Sequence, residues 1–188
     1  MRNKQVYDDG VNPTITTLYY AGGSYEIQDA TSGTPEVIRY YSIAGQKVAM
    51  KDYSGVQYLI SDHLGSTSMV LDDAGAILNE QRYMPFGEVR GDAGSISETD
   101  FGYTGQRALA GMGLMDYRYR FLSTGLGRFI QLDSIVPNPA NPQNLNRFSY
   151  VNNRPMNYID PSGHRPCDDP VCRQTSLDRI GKKIMETF

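Results

Sequence analysis

Four glycines, Gly45, Gly55, Gly65 and Gly75, stand ten residues apart, and the runs between them are rich in Val, Ile, Leu, Met and Tyr. This spacing is a strand-and-turn rhythm, because glycine at each corner permits the positive φ that tight hairpin turns demand. The stretch "DDAG", Asp72 to Gly75, is a good turn sequence for the same reason. Inside the runs the period is two. Val56, Tyr58 and Ile60 share one face with Gln57 and Ser61 on the other, and Thr67, Met69 and Leu71 repeat the pattern. Helical spacing fits worse. We therefore expect a meander of about four antiparallel strands over residues 40–83, whose open edges require more strands or a cap.

Upstream, "TTLYYAGGSYEIQDATSGTPEVIRYYS" continues in the same manner and predicts two further strands. Gly, Ser, Asp and Glu mark residues 87–105 as a surface loop. Short aromatic runs return over 103–128, cut by Gly111, Gly113, Gly125 and Gly127 before a helix can form. "IVPNPANPQNLN", residues 135–146, carries three prolines and reads as an extended crossing segment rather than a helix. After His164 the texture changes. "SLDRIGKKIMETF" has Ser176 as an N-cap and Leu177, Ile180, Ile184 and Phe188 on one stripe, the pattern of a short amphipathic helix. The expected fold class is all-β, an irregular antiparallel meander with a short C-terminal helix. Its expected organisation is 1–95, β strands; 96–164, a second segment ending in "DPSG"; and 165–188, a variable tail.

At 188 residues with 39% hydrophobic content, the chain is long enough to bury a real core. Its net charge of −3 and the absence of clustered Lys and Arg before the tail argue against a nucleic-acid surface. No apolar run approaches the roughly 18 residues that span a bilayer, and "MRNKQVYDDG" lacks the apolar stretch of a secretory signal. Cys167 and Cys172, with His164 the nearest imidazole, read as free thiols or a local disulfide rather than a metal site. No cofactor or metal is expected.

"DHLGSTSMVLDDAGAILNEQRYMPFGEVR", then "YTGQR", "GLMDYRYRF" and "GLGRFIQLDSIVPNPANPQNLNRFSYVNNRPMNYIDPSGH", in that order, closely resemble the RHS repeat-associated core. This is the C-terminal end of RHS and YD-repeat proteins. The resemblance implies a β shell wound from Tyr-Asp repeats around a C-terminal effector, often a polymorphic toxin, with the core closing one end as a plug. It also implies, for many members, aspartic self-cleavage just after an Asp-Pro-x-Gly motif. Here that motif is Asp160-Pro161-Ser162-Gly163, the matching upstream acid is Asp133, and the cut would fall at His164-Arg165. Asp133 is followed by Ser134 where many cleaving members have proline, and His164 stands where they usually have leucine. Implied partners are the rest of an RHS shell, a C-terminal effector and secretion machinery, and the implied location is secreted or at the cell surface. About six strands cannot enclose anything, so the sequence reads as a fragment, a remnant gene or a free-standing terminal piece.

An aspartic cut needs two carboxyls close together, one ionised to activate water and one neutral to protonate the leaving amine. Asp133 and Asp160 are 27 residues apart, so only folding can unite them, and a separation beyond roughly 10 Å would count against the pair. The plain alternative is that each is a turn former. Arg128, in "GLGRF", is the cation expected to support the pair. Arg107 is expected to stack on an aromatic ring or pair with a carboxylate. Asp62, His63 and Ser66 hold the atoms of a nucleophilic relay, but lie too close along the chain to form one and read as a hairpin corner. The other functional class left open is a non-catalytic module that binds glycan or protein through its aromatic β faces.

Overall fold

The computed structural model describes residues 4–7, 10, 15–20, 24–30, 35–92, 94–109, 111–136 and 139–164. Cys167, Cys172, Arg165 and the expected C-terminal helix lie outside them. Among the described residues twelve strands form two all-antiparallel sheets. The larger contains β1 (Lys4–Tyr7), β2 (Ile15–Tyr20), β3 (Tyr25–Ala30), β4 (Glu36–Ile43), β5 (Gln46–Lys51), β6 (Val56–Ser61), β7 (Thr67–Leu71) and β8 (Ile77–Glu80), each paired with the next. The smaller contains β9 (Arg107–Leu109), β10 (Leu114–Asp116), β11 (Phe121–Ser123) and β12 (Arg128–Phe129), again in chain order.

The meander is as the glycine rhythm predicts, with one strand more in each half than expected. Gly45, Gly55, Gly65 and Gly75 all have positive φ, from 78° to 134°, so each corner uses the freedom that only glycine has at no cost. The loops borrow side chains as well. Asp72 Oδ1 accepts the amides of Ala74 and Ala76, and Asp62 Oδ1 accepts those of Leu64 and Ser66, at 2.8–3.0 Å. His63 is exposed and the Ser66 hydroxyl receives the amide of Thr104 at 3.1 Å, so this stretch is the hairpin corner that its spacing implies.

The period of two holds in β6, but the inward face is that of Gln57 and Leu59, while Tyr58 and Ile60 are about half exposed. Ile38, Tyr40, Met50, Leu59 and Val70 pack on this inner face, and Phe101 closes over them. A second core gathers Leu64, Tyr103, Met115, Tyr117, Leu122, Phe129, Tyr150, Val151 and Ile159. Tyr117, Phe129 and Tyr150 meet edge to face with centroids 5.4–5.7 Å apart, the arrangement that ring quadrupoles favour. The two tyrosine hydroxyls are satisfied: Tyr117 donates to Tyr150 at 3.1 Å and shares a 2.7 Å hydrogen bond with Thr104.

One stretch departs from expectation. Within this proline-rich stretch Pro142–Leu145 forms a 3-10 turn, in spite of the prolines. Pro142 falls in the first turn, where a missing N–H costs nothing, and Asn141 caps that turn by accepting the amide of Gln143 at 3.1 Å.

Candidate functional site

Three buried charged side chains converge above the second core: Arg120, Asp133 and Asp160, each no more than 5% exposed. Arg120 arrives through an irregular step between β10 and β11. Tyr117 is wholly buried, Arg118 has φ 73°, Tyr119 points outward at 70% exposure, and Arg120 turns in again. The Arg120 guanidinium carbon lies 3.7 Å from the centroid of the Phe129 ring, which fixes its depth.

Asp133 follows β12, and its backbone is pinned on both sides. Its N–H donates to Arg147 O at 3.0 Å, and Arg147 Nε donates to its C=O at 2.6 Å. Asp160 follows the turn Val151–Asn153, in which all three residues have positive φ. This conformation is costly for a β-branched residue such as Val151 and is tolerated where the surroundings over-determine it.

Arg120 Nη2 stands 2.9 Å from Asp133 Oδ2 and 3.5 Å from Asp160 Oδ2. Both carboxylates thus touch one nitrogen, and the two acids predicted from sequence are brought together. The rest of each carboxylate is occupied as well. Asp160 Oδ1 accepts the amides of Ser162, Gly163 and His164 at 3.2, 2.8 and 3.1 Å and the Ser162 hydroxyl at 3.4 Å. Asp133 Oδ1 accepts the Ile135 amide at 2.9 Å and lies 3.0 Å from His164 Nδ1. Arg120 also donates from Nε to Gly163 O and from Nη1 to Arg147 O at 3.0 Å. Burial lowers the proton affinity of its guanidinium, while the charges of Asp133 and Asp160 raise it. An arginine starts so high that it stays charged.

Gly163, in the predicted motif, has φ 84°, and a Cβ there would stand 2.7 Å from Tyr117 O and 3.2 Å from Arg120 N. The glycine is required twice over, by conformation and by space. Pro161 is half-buried beside it. Arg128, expected at the pair, is exposed on β12 with its guanidinium 5.4 Å from the Phe148 ring centroid, and the cation between the acids is Arg120. Arg120 sits in "GLMDYRYRF", where strict alternation would put Arg118 and Arg120 on one face and both tyrosines on the other. The positive φ at Arg118 breaks that alternation. Arg107 both stacks and pairs, 4.2 Å from the Phe101 centroid and 2.7 Å from Glu26 Oε2.

A cavity of about 30 Å³ opens beside the acids, lined among others by Asp133, Asp160, Arg147, Ser149, Asn152 and His164. That is room for about one water molecule. Among the described residues no group of three His, Cys, Asp or Glu side chains is placed to hold a metal, and no helix is long and apolar enough to cross a membrane.

These features define an all-antiparallel β protein: a sequential, glycine-cornered meander followed by a second small sheet, with a buried acidic pair held on one arginine. Residues 29–156 match the family described as Teneurin YD-shell, and the chain belongs to that family. It is similar to salivary gland surface protein 1 of Aedes aegypti, 33% identical over 107 residues, covering 56% of this chain and 3% of that protein. It is also similar to teneurin-1 of Mus musculus, 26% identical over 163 residues (81% and 5%), and to tRNA3(Ser)-specific nuclease WapA of Bacillus spizizenii, 23% over 158 residues (82% and 7%). Among solved structures, the TcdB2-TccC3-Cdc42 crystal structure has a TM-score of 0.68 at 23% identity, covering 86% of this chain and 8% of that one. The Photorhabdus luminescens Tc holotoxin pore gives 0.70 at 22%, covering 89% and 8%. The chain therefore spans less than a tenth of each of these proteins.

Proposed function

We propose that this chain is the terminal core of an RHS-type effector carrier, the plug at one end of a β shell, and that Asp133 and Asp160 cut the chain at His164-Arg165. The observation that carries the reading is the meeting of these two carboxylates on one guanidinium, directly against the backbone of the motif to be cut. In this reading residues 1–95 belong to the shell wall, 96–164 form the core, and 165–188 begin the cargo. The partners are the remainder of the shell, a C-terminal effector and secretion machinery, and the protein works outside the cell that makes it. Two likenesses support the cargo: one relative is named as a tRNA3(Ser)-specific nuclease, and one similar solved structure is a Tc holotoxin pore.

The chemistry is peptide hydrolysis. One carboxylate takes a proton from water, whose oxygen bonds to the His164 carbonyl carbon. The C–N bond then breaks, and the other carboxyl gives its proton to the departing Arg165 amine. The products are a chain ending in a His164 carboxylate and one beginning with the Arg165 amine. Gly163 lets the backbone turn past Tyr117, and Pro161 fixes the entry to that turn. Intact-mass measurement of freshly purified protein followed over days tests this. A species ending at His164, absent from Asp160→Asn, is expected; a chain that stays whole sinks it.

A second reading, the glycan- or protein-binding module, is favoured by one observation. Tyr41, Ala49, Tyr58, Leu71 and Ile77 are cross-strand partners in one row on the outer face of the large sheet, and Tyr41, Tyr58 and Ile77 are 44–59% exposed. Binding of glycans by an uncut chain, lost on replacing Tyr41 and Tyr58, would support it.

A further inference from the structure

The acids are placed for a reaction yet are fully engaged with other groups, and one of those groups belongs to the segment that the reaction would cut. His164 spans the pair: its backbone N–H donates to Asp160 Oδ1 at 3.1 Å and its Nδ1 lies 3.0 Å from Asp133 Oδ1. Its ring lies against Tyr119, with centroids 4.4 Å apart and planes inclined by 34°. Tyr119 is otherwise 70% exposed, so the outward turn at Arg118 supplies the imidazole with a support. A carboxylate that activates water must offer it a lone pair, and on Asp133 both sites of Oδ1 are filled, by His164 and Ile135, while Oδ2 faces the Arg120 guanidinium. Arg120 and Ile135 are bound into the fold. The His164 side chain lines the cavity and is 21% exposed, against 5% for Arg120.

We infer that His164 is a latch on the self-cleavage reaction, a positioning residue whose imidazole occupies Asp133 and slows the cut for as long as it stays in place. The inference rests on the aspartic reading above and adds its control. The described geometry is the latched state. Displacing the imidazole frees Asp133 Oδ1 towards the cavity, where a water can be activated and its oxygen delivered to the His164 carbonyl carbon, as set out above.

The test follows first-order conversion of the full chain by intact mass, with thermal unfolding as a control for folding. His164→Leu removes the hydrogen bond and is expected to cut roughly tenfold to a hundredfold faster than wild type, the range that one hydrogen bond to a charged group commands. His164→Gln, whose amide can still donate to Asp133, is expected to cut more slowly than His164→Leu, an order that a merely structural side chain would not produce. Tyr119→Ala removes only the exposed support and is expected to speed cutting by a smaller factor; it keeps the inference testable if His164→Leu unfolds. His164→Leu cutting no faster than wild type, while Asp160→Asn abolishes cutting, overturns the latch alone. A chain left whole in both wild type and His164→Leu overturns the aspartic reading itself. Cutting that persists in His164→Leu/Asp160→Asn overturns the aspartic reading beneath it.

Discussion

Glu26 and Arg107 are 81 residues apart in the sequence, and Arg107 Nη2 lies 2.7 Å from Glu26 Oε2. This ion pair joins β3 of the large sheet to β9 of the small one. Tyr40 donates to the other Glu26 oxygen at 2.9 Å, and Asp100 takes the second Arg107 nitrogen at 3.0 Å. Glu26 is 1% exposed, so its charge has no water to fall back on. Replacing Arg107 with Met leaves a buried carboxylate without its cation, which costs about 3–5 kcal/mol. The urea midpoint should fall accordingly, and a change below 1 kcal/mol would show that the sheets do not depend on this contact.

Gly163→Ala tests the seat of the motif. The added methyl meets the backbone of Tyr117 at 2.7 Å in a conformation that L residues rarely adopt, a combination that costs about 1–3 kcal/mol. The melting temperature should drop. The backbone amides of residues 162–164 should exchange faster, since their acceptor, Asp160, can no longer gather them.

Alkaline pH should unfold the protein through its tyrosines. Burial raises Tyr40, Tyr83, Tyr103, Tyr117 and Tyr150 above their ordinary value of 10.0, so the folded state keeps protons that the unfolded chain gives up. Their contribution is fully present below about pH 10 and is lost as pH climbs beyond it. Lys47 has the opposite sign. Burial beside Phe101 and the charge of Arg107 lower it from 10.5 to about 8, so charging it opposes folding below about pH 8, and stability gains between about pH 8 and 10.5. Denaturant midpoints measured from pH 7 upward should hold or rise slightly to pH 10 and then fall together with tyrosinate absorbance.

The outer row of the large sheet should be dispensable for folding. Tyr58→Lys and Ile77→Lys remove half-exposed side chains and should change stability by less than about 0.5 kcal/mol each. If the row is a docking face, the same changes abolish partner or glycan capture without altering the melt.

Much of this fold was legible before any coordinates. The ten-residue glycine spacing located the corners because tight antiparallel turns need a positive φ, and each of the four glycines has one. The alternation in β6 was legible too, but not which face turns inward. Gln57 is buried and Tyr58 half-exposed, since burial is set by what packs on the sheet, here Phe101, rather than by the strand itself. Residues 142–145 form a turn because proline opposes only the helix interior and not the first turn.

The sequence by itself determined the class of structure, through local rules of φ and of period two, and its resemblance to the RHS repeat-associated core pointed to Asp133 and Asp160 as a candidate pair. Their union was decided only in three dimensions. Arg120, which joins them, is hidden in "YRYRF" behind a non-glycine residue with positive φ, and no local pattern announces such a residue. The same holds for His164, whose contact with Asp133 bridges 31 residues. Hydrogen bonds and ion pairs of this kind depend on the chain's path through the core, and that path is set by the packing of Tyr117, Phe129 and Tyr150, not by the residues that finally meet.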